Sequence, residues 1–143
     1  MGAHLAYGWM PRMLVVDSGG FVEASHVLNE ARQSSTRRPP DGVKLLPRVI
    51  NRSVVGVSRL LHFLRPSLPP IWDSNVRHYL VAKKVPIEGA NTLAAYERYQ
   101  GIIDELTRQK RAQDVTASIS GKPGYRVTRC RTIELVVFVN GRQ

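Results

Sequence analysis

Between Leu64 and Leu80 the chain reads LRPSLPPIWDSNVRHYL, and its three prolines, Pro66, Pro69 and Pro70, leave it few conformations. Proline lacks an amide hydrogen and fixes φ at about −65°, so a helix arriving through Leu60, Leu61 and Leu64 must stop at Pro66. Pro69 and Pro70 keep their neighbours extended, because proline pushes the residue before it out of the helical region. The next helix then opens at Asp73 or Ser74, two side chains suited to capping, and buries Val76, Tyr79 and Leu80. A stiff path thus delivers Ile71, Trp72 and Asp73 to a helix start. As an N-cap, the Asp73 carboxylate accepts a backbone N–H and stabilises by about 1 kcal/mol. At the positive end of the helix dipole the same carboxylate can also orient water or stabilise a developing cation. The two roles are compatible.

The rest of the chain reads as helices joined by polar breaks. Residues 3–16, AHLAYGWMPRMLVV, are apolar and partly helical, with Pro11 dividing them, and Tyr7 and Trp9 suit a core. After the break DSGG, Phe21, Ala24, Val27, Leu28 and Ala31 recur at three- and four-residue steps, a helix ending near Arg32. Gln33 to Gly42 form a polar, exposed loop with Arg37 and Arg38 before Pro39 and Pro40. Pro47 suits the first turn of a short helix, and Ser53 caps the next, whose stripe is Val54, Val57, Leu61 and Leu64 with Leu60 beside it. Asn91 or Thr92 caps a helix with Leu93, Tyr96, Ile103 and Leu106 on one face. RQKRAQ, Arg108 to Gln113, reads as an exposed helix end, and SGKPG, Ser120 to Gly124, as a turn. The block from Ile133 to Val139 suits either a strand, by its β-branched residues, or a buried helix, and Gly141 stops either. The total is roughly six helices with little strand pattern, hence an all-α fold. A length of 143 residues suits one compact domain.

Composition narrows the partners. Hydrophobic residues make up 43%, enough for a core. No long apolar run is present to span a membrane, and the first residues lack the pattern of a signal peptide or a myristoylation site. The single cysteine, Cys130, excludes an intrachain disulfide and a multi-cysteine zinc site, which points to a cytoplasmic setting. Cys130 lies between Arg129 and Arg131, although a buried structural thiol is the simpler role. Twenty-one basic residues face eleven acidic ones, for a net charge of +10, and sixteen of the twenty-one are Arg. Arginine grips phosphate bidentately. The excess is +2 over residues 1–50 (six minus four), +4 over 51–100 (seven minus three) and +4 over 101–143 (eight minus four). No tail carries it, so the folded surface itself is positive and attracts nucleic acid or anionic membrane, with general solubility as the plainer role.

The segment VVGVSRLLHFLRPSLPPIWDSNVRHYL resembles the central part of the helix-hairpin-helix DNA glycosylase superfamily. In that family a helix is followed by a proline-bearing loop, which ends in an apolar residue and an aspartate that opens the next helix. Gly56, Val57 and Ser58 match the helix start, Pro69, Pro70 and Ile71 the loop, Asp73 the aspartate and Val76 the apolar residue after it. LLHFLRP, PIWDSNV and AYGWMP also resemble uncharacterised proteins distantly related to those glycosylases. The resemblance implies a DNA-binding, DNA-repair protein with Asp73 as its catalytic residue and no cofactor. It covers about thirty residues well and departs from the family pattern twice. The family's glycine-rich hairpin turn, which offers backbone N–H groups to a phosphate, is replaced by LLPRVINRSVVGVS, without Gly-x-Gly. Lyase-type members carry a lysine on the helix before the aspartate, where this chain has Arg59, which stays protonated and cannot form a Schiff base. Any chemistry would therefore be monofunctional, with Asp73 and water attacking an oxocarbenium-like sugar.

Around Asp73 the candidate nucleic-acid contacts are Arg52, Ser58, Arg59, Arg65, Trp72 and Arg77. The arginines form either a phosphate-binding rim or a solvated surface with a salt bridge. A flipped base would need an aromatic wall, which Trp72 or Tyr79 could supply, while core packing is the plainer role for Trp72. The four histidines, His4, His26, His62 and His78, have no metal-ligand spacing, so no metal is expected. Ser58 and His62 stand one turn apart, but no nucleophile elbow surrounds Ser58. Three classes of function fit: a monofunctional glycosylase, a non-catalytic nucleic-acid-binding module on the same scaffold with DNA favoured over RNA, or an interaction subunit whose positive surface meets an acidic protein. A strand over Ile133 to Val139 would further allow pairing between chains.

Overall fold

The computed structural model describes residues 17–36, 39–120 and 126–142. Among them it contains seven α-helices, one 3-10 helix and no β-strand, so the all-α expectation holds. The expectations for residues 3–16, for Arg37 and Arg38, and for most of SGKPG lie outside the described residues. No helix among the described residues is long and apolar enough to cross a membrane. The helices gather into two compact units, residues 1–71 and 72–143, where chain length suggested one domain. The division falls at the end of the proline stretch.

In the first unit α1 (Phe21–Gln33) packs on a 3-10 helix (Asp41–Leu45), α2 (Leu46–Val49) and α3 (Val54–Leu64). Gly20 precedes α1 with φ 91°, which a glycine adopts without strain. Of the predicted stripe, Ala24, Val27 and Ala31 are buried and Leu28 is half-buried, whereas Phe21, at the first position of the helix, is 55% exposed. Pro47 lies in the first turn of α2, and the Ser53 hydroxyl caps α3 by accepting the Gly56 N–H at 3.2 Å. Val54, Val57, Leu60 and Leu61 are almost fully buried, each stabilising by about 1.5–3 kcal/mol relative to exposure.

In the second unit α7 (Arg129–Asn140) packs against α4 (Ser74–Ala82), α5 (Leu93–Arg108) and α6 (Lys110–Ile119). Thr92 caps α5 by accepting the Ala95 N–H at 3.2 Å. The open choice between strand and helix for Ile133 to Val139 resolves as helix. Thr128 caps α7, and three neighbouring helices cover one side of it, burying Cys130, Thr132, Glu134 and Val137. That burial outweighs a β-propensity worth a few tenths of a kcal/mol per residue. Gly141 follows α7 where a side chain could not, since a Cβ there would overlap the Asn75 carbonyl group on α4. RQKRAQ is no simple helix end. Gln109 alone turns extended, at φ −71° and ψ 142°, and α6 starts at once in a new direction.

Candidate nucleic-acid interface

Asp73 sits at the N-cap of α4 as the proline stretch predicted. Its Oδ1 accepts the Val76 N–H at 2.9 Å, and the residue is half-buried. Arg77 lies one turn further along the same helix, yet no ion pair joins the two, and the Arg77 Nε is buried without a hydrogen-bond partner. Asp73 is thus a cap whose charge is not neutralised by the nearest arginine on its own helix.

Trp72 belongs to the core. It is 1% exposed, its indole N–H donates to the Ala90 carbonyl at 3.0 Å, and its ring lies 5.6 Å from that of Tyr99, tilted by 49°. Such a residue offers no face to a base, so its role as a nucleic-acid contact gives way to packing. Tyr79 is the half-buried aromatic of the pair, with the Lys83 ammonium 5.6 Å above its ring.

The first unit holds Arg52, Ser58, Arg59 and Arg65. Ser58 is fully buried, and its hydroxyl donates to the Val55 carbonyl at 2.9 Å, so it too is a packing residue in place of a ligand contact. Arg65 does internal work: its Nη1 donates to the carbonyls of Ala31 and Thr36, both at 3.0 Å, tying the end of α1 to the loop after it. That geometry satisfies the orphan Ala31 carbonyl in the last turn of α1 and complements the negative end of its dipole. Its guanidinium borders a small hollow formed with Pro39, Pro40, Leu61 and Pro69. The His62 Nδ1 is 2.9 Å from the Pro69 carbonyl, which holds the proline loop to α3. Arg59 is half-buried on α3 and Arg52 is exposed.

Asn51 and Arg52 form the turn between α2 and α3 with φ of 52° and 48°. Left-handed backbone here forms a turn without glycine, at roughly 1–2 kcal/mol for a residue such as arginine.

A stronger concentration of exposed charge lies at the junction of α5 and α6. Arg108, Lys110 and Arg111 are all exposed, no side chain caps α6, and its first turn carries no acidic residue. Cations at a helix N-terminus are electrostatically unfavourable by a few tenths to 1 kcal/mol, a cost offset when an anion binds. The motif RQKRAQ carried a signal for this cluster; the helix break that exposes the α6 N-terminus carried none. Nearby, Arg129 reaches from α7 to α6, where the Gln113 side-chain oxygen accepts from both of its terminal nitrogens at 3.1 Å.

Among the described residues no group of three or more His, Cys, Asp or Glu side chains is arranged to hold a metal ion. Comparison with known proteins finds no matching family model, no matching curated protein and no matching solved structure.

Proposed function

We propose that the protein binds nucleic acid, DNA in preference to RNA, through arginine-rich surface on both units. The carrying observation is the junction of α5 and α6, where Arg108, Lys110 and Arg111 are exposed beside a helix N-terminus that no side chain caps. Each unit is also net positive by five charges: nine basic against four acidic residues up to Ile71, and twelve against seven from Trp72 onward. A nucleic-acid partner accords with a cytoplasmic protein that has one buried thiol.

The test is duplex DNA binding followed by fluorescence anisotropy from low to moderate salt. Wild type should weaken linearly on a log–log plot, at about −0.9 per phosphate contact. Replacing Arg108, Lys110 and Arg111 by alanine should flatten that slope by two or so contacts. An unchanged slope would move the interface elsewhere. Salt-independent or absent binding to both DNA and RNA would sink the proposal.

Base excision is the narrower reading, favoured by Asp73 standing at the α4 N-terminus without an arginine ion pair on its helix. There it would act with water and without a Schiff base. Asn caps as well as Asp, so Asp73→Asn should fold and bind DNA like wild type while losing base release. If wild type leaves uracil, hypoxanthine, alkylated and oxidised-base duplexes all intact, the protein is a binding module only.

A further inference from the structure

We infer that Arg65 is a preformed phosphate site in the first unit, gripping the anion with the Nε–Nη2 edge of its guanidinium. A guanidinium carries five N–H groups in a planar fork. The two on Nη1 are spent inside the protein, on the Ala31 and Thr36 carbonyls at 3.0 Å each. Those bonds fix the plane of the group before any ligand arrives. The opposite edge, Nε and Nη2, has no hydrogen-bond partner among the described residues, and neither nitrogen is sealed from solvent. Other arginines differ. The Arg77 Nε is buried, Arg131 is paired with Glu134, and Gln113 takes both terminal nitrogens of Arg129.

The charge is unspent as well. Carbonyls carry no net charge, so Arg65 keeps its own in full. Glu30 and Asp41 lie next in the chain to Ala31 and Pro40, both are exposed, and neither pairs with Arg65. The surroundings limit what can bind. Arg65 is the one charged side chain, among the described residues, lining a partly open hollow with Pro39, Pro40 and Pro69. About 10 Å³ of it is free, room for one water-sized group. A base or a peptide side chain is too large, whereas one oxygen of an oxyanion fits. The prolines offer no N–H in competition and have little freedom to lose when the hollow fills. A carboxylate has two oxygens, and the guanidinium edge takes both. A phosphate has a further oxygen for the hollow and carries more charge. Nucleic acid is one source of that phosphate. That source rests on the function proposed above, while the phosphate chemistry does not.

The test follows the arginine Nε–H signals of the full chain by NMR during titration with inorganic phosphate, and with acetate at equal ionic strength. The Arg65 signal is assigned by its loss in Arg65→Lys. Phosphate should move it saturably, with a half-point severalfold lower than for the exposed Arg32, and acetate should move it far less. Arg65→Gln should flatten the salt dependence of duplex DNA binding by about 0.9, one phosphate contact, with circular dichroism unchanged. Where that variant loses its helical signal, the wild-type titration decides alone. An Arg65 signal that phosphate leaves in place, or moves no sooner than that of Arg32, overturns the proposal. An equal response to acetate overturns it in favour of a carboxylate site. If phosphate moves the signal but the Arg65→Gln slope is unchanged, the site stands for a small phosphorylated ligand. If phosphate moves it and the chain binds neither DNA nor RNA, the site stands in the same way and the nucleic-acid reading fails.

Discussion

Tyr96 and Tyr99 stand one turn apart on α5, both fully buried, and their hydroxyls have opposite fates. The Tyr96 hydroxyl is not among the unsatisfied buried groups, whereas the Tyr99 hydroxyl is buried with no partner among the described residues. A buried hydroxyl without a partner is destabilising by about 1–3 kcal/mol, while a made bond contributes about 1. Tyr99→Phe should therefore leave stability unchanged or raise it by up to about 1 kcal/mol in urea unfolding. Tyr96→Phe should lower it by about 1 kcal/mol. Equal losses would mean that the Tyr99 hydroxyl has a partner after all. Residue by residue, capping was the legible part: Ser53, Asp73 and Thr92 each bond the backbone N–H three positions on. What lay opposite a large side chain was not legible. Trp72 was open between base wall and core until Ala90 and Tyr99 closed around it.

At the scale of elements, α4 shows how much of a helix is local. Asp73 caps its start. Its end is a two-bond wrap, in which Lys84 N–H donates to Val81 and Val85 N–H to Leu80, both at 2.9 Å. The motif puts Lys84 at φ 57°, the position that glycine usually fills. Lys84 is exposed, so Lys84→Gly removes strain without removing buried contacts. It should stabilise the second unit by roughly 0.5–1 kcal/mol, seen as a higher thermal midpoint. A lower midpoint would show that the lysine side chain holds the wrap. Pro86 follows that helix end, but no glycine fills the Lys84 position, and neither glycine nor proline marks the break at Gln109, so the break was not visible in the letters. α7 was ambiguous for the opposite reason. Its letters allowed two structures, and the three helices around it chose one.

For the whole molecule, charge and burial set the response to conditions. Burial pushes the Tyr96 and Tyr99 phenols above the ordinary value of 10.0, and the nearby Glu134 pushes in the same direction. The folded chain thus keeps protons that the unfolded chain releases near pH 10. The stabilisation is fully present below that pH and is lost as pH rises above it. The urea midpoint should fall between about pH 9 and pH 11, and less so for Tyr99→Phe. An identical fall in the variant would assign the loss to other groups. Net charge, helix stripes and caps were readable in the sequence because each depends on neighbours within four residues or on a plain sum. The sequence by itself thus determined an all-α chain, its α4 start at Asp73 and its positive surface. Only the tertiary structure decided that Trp72 and Ser58 are core, that Arg65 serves the end of α1, and that α7 is a helix with an apolar outer stripe. Each of those depends on contacts between residues far apart in the chain, which no local spacing encodes.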